Sequence, residues 1–193
     1  MSDPLDRRFR RTVKQILRVN HAGEYGAIRI YQAQIAMARW RAPALLPFLR
    51  ETLTHERTHL AAFRELMWPR GTRPCGAMPL WGLGGIALGL FTGLLGRNAI
   101  LICTEAVERT VHAHLDKQLA WLGKRDPTLS ETIASVREQE QGHLENAQAQ
   151  QSTRSAFGNA LDRFVGAMTT LLIWCSTYGA LSRMRGHLAS WST

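Results

Sequence analysis

Apolar residues recur at alternating steps of three and four through four long windows of the chain, the spacing that gathers them on one face of an α-helix. The cleanest row is Leu46, Leu49, Leu53, Glu56, Leu60, Phe63 and Met67. A glutamate occupies a place where the pattern calls for an apolar side chain. The same anomaly recurs in the row Leu101, Thr104, Glu108, Val111, Leu115 and Leu122, and again in Leu129, Ile133, Val136, Glu140, His143 and Ala147. The first window, from about Val13 to Trp40, carries Ile16, Asn20, Glu24, Ala27, Tyr31 and Gln34 on one side. Period-two alternation is nearly absent, so the pattern predicts an all-α protein in which each of four helices turns a carboxylate inward.

Prolines fall where helices must stop and restart. Pro43 separates the first two windows, and Asp126-Pro127 separates the last two. Short connections make the paired helices antiparallel, which gives two hairpins and a four-helix bundle. Between them lies a segment without charge from Pro74 to Gly96, with PLWGLGGIALGLFTGLLG at its centre, and a second uncharged run extends from Phe164 to Ser182. Each approaches the roughly 20 residues of a membrane-spanning helix. Glycines crowd the first, which weakens a helix in water more than one in lipid. Arginines flank both segments at both ends, so charge asymmetry gives no orientation. The reading adopted is a peripheral or half-inserted apolar hairpin over 74–96 and an extra apolar C-terminal helix over 158–186, because the ligand-bearing helices should then be soluble.

The chain has 193 residues, enough for a single domain with its own core, and a formal net charge of +9. Arg7, Arg8, Arg10, Arg11, Lys14 and Arg18 concentrate that charge early, which favours an anionic partner such as a membrane surface. Nucleic acid is set aside, since no recognition motif is present and the aromatics sit in apolar runs. Three cysteines without Cys-x-x-Cys spacing suggest neither disulfides nor a thiolate zinc site. The N-terminus lacks the apolar core of a secretory signal, and its aspartates argue against a transit peptide, so it reads as mature cytoplasmic sequence.

The inward glutamates fall into a repeated pattern. Composition predicts about 0.4 chance Glu-x-x-His pairs, whereas the chain has two, Glu56-x-x-His59 and Glu140-x-x-His143. Each is preceded 32 residues upstream by another glutamate, Glu24 and Glu108, so the two halves superpose at an offset of 84. That offset also matches Pro43 with Pro127 and Leu60 with Leu144. An internally duplicated hairpin, roughly 13–68 and 98–152, is the economical explanation. A spacing of three brings Glu and His onto nearly one face, where both reach one metal ion while a glutamate of the paired helix bridges. This is the ligand arithmetic of ferritin-like di-iron bundles. Four carboxylates offset two divalent ions, and carboxylate with imidazole suits iron or manganese, with oxygen chemistry favouring iron. Hence Glu24, Glu56, His59, Glu108, Glu140 and His143 are expected to hold two iron ions per chain. His21, His55, His112, His114 and His187 do not fit that template, although His114 invites a supporting role; Glu105 and Glu138 are near misses.

The string RVNHAGEYGAIRIY from Arg18 to Tyr31, with HERTHL, CTEAVE, PLWGLGGIALG and REQEQGH, resembles the demethoxyubiquinol hydroxylase family of ubiquinone biosynthesis over nearly the whole chain. The resemblance implies the same six ligands. It further implies a di-iron monooxygenase that hydroxylates the ring of demethoxyubiquinol to demethylubiquinol. That reaction uses O2 and a supplied reductant, on a membrane that holds the polyprenyl quinol. Asn20, Glu105 and Leu115 depart from residues common in the family. The missing leader looks bacterial, which places the protein at the cytoplasmic side of the cell membrane, with other ubiquinone-biosynthesis proteins as candidate partners. The electron donor is unnamed, since no glycine loop for a nucleotide is present. Two competing readings are a ferroxidase or peroxide-scavenging bundle, which needs no apolar insertion, and a non-enzymatic membrane scaffold, which needs no metal.

Overall fold

The computed structural model describes residues 4–152 and 154–176. It contains six helices and, among the described residues, no strand: α1 Pro4–Arg41, α2 Leu46–Met67, α3 Met78–Leu95, α4 Arg97–Leu122, α5 Pro127–Ala149 and α6 Ala156–Ser176. The hairpins α1/α2 and α4/α5 form the expected ferritin-like bundle, and a 3-10 turn at Pro43–Leu45 joins the first pair. The four apolar rows face one another. Leu49, Phe63, Leu101, Leu115, Leu122, Leu129 and Ile133 are fully buried, with Glu24, Glu56, Glu108 and Glu140 among them.

Helix α1 begins nine residues before the Val13 start that the apolar pattern gives, because Pro4 suits a first turn and Phe9 supplies an anchor. The Phe9 ring stacks on Trp121 with centroids 5.2 Å apart, and the Arg125 guanidinium lies over both rings. Leu5 and Phe9, set among four arginines, are too few to register as a row. The α4–α5 turn at the same end is held by Asp126. Its carboxylate caps α5 by accepting from the Leu129 N–H at 3.1 Å and pairs with Arg70 at 2.7 Å. Asp126→Ala is expected to cost about 1–2 kcal/mol, as loss of a helix cap does, read as a lower midpoint in thermal or urea denaturation.

The apolar segment departs from expectation in shape. It is one helix, α3, not a hairpin, and it lies along α1 in the same direction. Its glycines are the reason. Gly82, Gly85, Gly89 and Gly93 form a stripe on one side, and a Cβ built on Gly89 would stand 2.4 Å from the Ile30 carbonyl oxygen and 2.8 Å from the Ala33 Cβ. At Gly85 the Gly26 carbonyl oxygen would be only 2.5 Å away. A stripe of small residues lets two helix backbones touch, and leaves no reason for the segment to fold back on itself. The reversal comes later, at Gly96, whose φ of +94° joins α3 directly to α4.

Helix α6 stands to α4 much as α3 stands to α1: Gly158 meets Ile102, Gly166 meets Thr110, and Asp162 pairs with Arg109 at 2.7 Å. Gly82 and Gly166 are again 84 residues apart. The helix begins at Ala156, two residues before the start expected for a C-terminal helix over 158–186. Its part beyond Ser176, with His187, lies outside the described residues. Helices α3 and α6 leave large apolar side chains on the outside, among them Leu83 (68% exposed), Phe91 (48%), Phe164 (54%) and Leu171 (49%). Among the described residues α3 is the one helix long and apolar enough to cross a membrane, with a mean hydropathy of 1.6. Its 18 residues make about 27 Å, short of a ~30 Å hydrocarbon core, and its glycine side is packed on α1.

Candidate metal centre

All six residues expected from spacing converge at mid-bundle, each below 7% exposure. They form two groups, Glu24, Glu56, His59 and Glu140 in one and Glu56, Glu108, Glu140 and His143 in the other. Within each, ligand atoms lie within 4.8 Å of one another, so both groups could hold a metal ion. The carboxylates common to the two are Glu56 and Glu140, the glutamates of the Glu-x-x-His pairs. The shared members thus come from the motifs themselves, whereas the upstream glutamates Glu24 and Glu108 each belong to one group. Glu56 and Glu140 lie on α2 and α5, whose antiparallel packing brings the two motifs face to face.

The polar contacts within the cluster are incomplete. His143 Nδ1 lies 2.9 Å from Glu140 Oε2 and 3.7 Å from Glu56 Oε1. His59 Nδ1 lies 3.0 Å from Glu140 Oε1 and 3.7 Å from Glu24 Oε2, yet makes no hydrogen bond, the first approach being too oblique. Glu56 Oε1 also lacks a partner. Two orphaned ligand atoms, fully buried and aimed at the same space, fit a cation between them.

The charge state tells the same story. Burial first, then the neighbouring Glu140 carboxylate, push Glu56 and Glu108 well above the ordinary carboxylate range. Burial also acts against Glu140, but the facing imidazoles of His143, 2.9 Å away, and His59, 3.0 Å away, outweigh it and hold that carboxylate low. For His59, burial disfavours the charge while Glu140 and Glu24 favour it more, raising the imidazole to about 11. Protons therefore balance the carboxylates in the metal-free fold, and a divalent ion would displace them. Tyr31, whose hydroxyl donates to Glu108 Oε1 at 2.5 Å, steadies that carboxylate from α1.

The two sides of the cluster differ. Glu24, Glu56, Glu108 and Glu140 all line a cavity of about 440 Å³ whose other walls are mostly apolar, built from α1 and α4 below and from Leu88, Phe91, Phe164 and Met168 of α3 and α6 above. Neither ligand histidine lines it. At one end α3 and α6 are tied by the Trp81 indole N–H, which donates to Ser176 Oγ at 2.7 Å. Asn20 and His114 are polar exceptions on the cavity wall. Asn20 exchanges two 2.8 Å hydrogen bonds with buried Gln118, which an aspartate there could not do in its ionised form. His114 Nε2 has no protein partner, and burial pushes the imidazole down to about 4.

The near misses are elsewhere. Glu105 faces away from the cluster toward Arg109, Arg154 and Gln151, where it fastens α4 to the segment that precedes α6. Glu138 is exposed, His112 faces Asp116 at 3.5 Å, and His21 is buried with Nδ1 unpartnered. Two residues escaped the sequence pattern although they touch the site. His55 Nδ1 lies 2.9 Å from His143 Nε2, and Gln139 Oε1 lies 3.0 Å from His59 Nε2. A signal existed, because each immediately precedes the glutamate of its motif.

Comparison with known proteins bears on what this site serves. The family model described as Ubiquinone biosynthesis protein COQ7 matches residues 11–176. The chain is 37% identical over 164 residues to the 3-demethoxyubiquinol 3-hydroxylase of Rhodospirillum rubrum, covering 85% of this chain and 77% of the relative. It is 35% identical over 176 residues to the NADPH-dependent 3-demethoxyubiquinone 3-hydroxylase, mitochondrial, of Rattus norvegicus, covering 89% and 80%. The protein of the same description from Dictyostelium discoideum is 33% identical over 171 residues, covering 87% and 78%.

Proposed function

The chain belongs to the COQ7 family of ubiquinone biosynthesis proteins, and from that premise we propose that it is a membrane-associated di-iron 3-demethoxyubiquinol 3-hydroxylase. The observation that carries the reading is the cavity: apolar walls under two externally apolar helices, with a floor of four carboxylates. A quinol with an isoprenoid tail needs such a route, since it is too insoluble to arrive through water. A ferroxidase needs a polar path for ions, which this cavity does not offer.

The six ligands would hold two ferrous ions, one by Glu24 and His59 and the other by Glu108 and His143, with Glu56 and Glu140 shared. Bound iron would supply the means to activate O2, one oxygen atom entering the ring and the other leaving as water. The chain's own residues do the rest. Leu88, Phe91, Phe164 and Met168 hold the tail and exclude water. Asn20 and His114, on the same wall as the carboxylates, are the polar groups a ring hydroxyl meets; His114, neutral at ordinary pH, can donate or accept there. Tyr31 restrains Glu108 from α1.

The exposed faces of α3 and α6 would rest among acyl chains at the cytoplasmic side of a bacterial cell membrane, with the exposed arginines of α1 on anionic headgroups. Two electrons per turnover come from an external donor. The rat and slime-mould relatives are described as NADPH-dependent. The test supplies demethoxyubiquinol in detergent or vesicles to the iron-loaded protein with O2 and a chemical reductant. The expected product is the ring-hydroxylated quinol, one per two electrons consumed. Iron oxidation with no hydroxylated quinol would support the ferroxidase reading instead.

A further inference from the structure

The two metal-binding histidines are oriented from outside the cluster, and not by the same chemistry. Both turn Nδ1 inward to the carboxylates and Nε2 outward. An imidazole that binds a metal through Nδ1 must carry its proton on Nε2, and that proton needs an acceptor. His143 Nε2 finds His55 Nδ1 at 2.9 Å, with the ring planes within 11° of each other, so the N–H points along the lone pair of the second ring. His59 Nε2 finds the Gln139 amide oxygen at 3.0 Å.

The pairing is crossed. His55 belongs to α2 and serves the histidine of α5, whereas Gln139 belongs to α5 and serves the histidine of α2. They occupy equivalent places, one residue before Glu56 and Glu140 and 84 residues apart. Where the repeat would lead one to expect identical side chains, one half has an imidazole and the other an amide. An amide oxygen offers two lone pairs and tolerates a range of approach, while imidazole Nδ1 offers one, fixed in the ring plane.

We propose that His55 and Gln139 are positioning residues for the two metal-binding imidazoles, and that His55 makes the metal position of His143 distinct from that of His59. The inference rests on the di-iron reading above. It assigns no contact with substrate to either residue.

The test is an anaerobic ferrous titration of the full-length apoprotein, followed by near-infrared circular dichroism of the bound ions, on wild type, His55→Ala, His55→Gln and Gln139→Ala. In His55→Ala one of the two ferrous ions is expected to bind about 10–100-fold more weakly, the usual effect of losing an outer hydrogen-bond partner, while the other is unchanged. Gln139→Ala should weaken the other ion, so the bands lost in the two variants are complementary. His55→Gln should restore the affinity and shift only the bands of the His143 position, since glutamine reproduces the arrangement around His59. Gln139 is exposed, so its variant keeps the test alive if His55→Ala does not fold. Wild type that takes up no ferrous iron overturns the metal reading, and this inference with it. Two ions bound alike by wild type and both alanine variants, or a His55→Gln protein no better than a folded His55→Ala, overturns this inference alone.

Discussion

Glu56→Gln protein is expected to fold, to retain almost no iron, and to form hydroxylated quinol at least 100-fold more slowly than wild type. The reason lies in the sharing. Glu24 and Glu108 each belong to one group of ligand atoms, so losing either removes a donor from one position; Glu56 belongs to both. An amide oxygen keeps the volume and lowers the cluster's charge from about −4 to −3 against two divalent ions, which desolvation in a buried site makes costly. Iron per folded chain and product formation check it, and a variant with wild-type iron content would sink the shared assignment.

The same variant makes a prediction about the metal-free fold. Glu56 and Glu108 are raised above their ordinary value of 4.5, and His59 from 6.5 to about 11, so the folded metal-free protein holds protons that the unfolded chain has released. Where the folded state binds more protons, stability falls as pH rises. That loss begins above the unfolded carboxylate value and, for His59, runs between 6.5 and about 11. Glutamine at position 56 removes one such group. Its metal-free melting temperature should therefore decline less than wild type's as pH rises above 4.5, and a steeper decline would contradict the placement of Glu56 among facing carboxylates.

The six candidate ligands are legible in the sequence for a physical reason. A buried glutamate in an apolar row breaks the rule that governs its neighbours, and Glu56 in the row from Leu46 to Met67 does so at a spacing that a metal explains. The antiparallel hairpins followed from Pro43 and from Asp126-Pro127. What escaped lies at a different level. The residues before each glutamate, His55 and Gln139, sit off the apolar face, and only the crossing of α2 with α5 brings them onto the opposite histidines. Helix α3 escaped in shape because glycine carries two meanings that sequence does not separate: a weak helix that folds back, or a strong contact that needs no side chain. Position decides, and the position is α1. Likewise the reach of α1 back to Pro4 depends on Phe9 finding Trp121, a partner more than a hundred residues away.

That contact between α3 and α1 supplies the second large effect, in Gly89→Leu. A Cβ alone at position 89 would meet the Ile30 carbonyl oxygen at 2.4 Å and the Ala33 Cβ at 2.8 Å, and neither is the far end of a side chain that could swing away. The helices must separate, and overpacking of this kind costs about 1–3 kcal/mol. For a chain of this size each kcal/mol shifts the melting temperature by ~2–4 °C, so a fall of roughly 2–12 °C is expected. Gly84→Ala is the control. Nothing lies within 4 Å of its added carbon, and alanine is favoured over glycine in a helix by about 1 kcal/mol, so its stability should hold or rise. The functional consequence separates the roles of the helices. All six ligands lie on α1, α2, α4 and α5, so Gly89→Leu should keep its iron. Leu88 and Phe91 line the cavity on either side of Gly89, so hydroxylation should drop tenfold or more as that wall moves. Iron lost together with activity would mean that α3 holds the bundle itself in register. Activity kept at wild-type level would mean that the quinol does not pass under α3. Iron kept with turnover lost is the result expected of a helix whose glycine stripe grips α1 while its Leu88 and Phe91 wall the cavity.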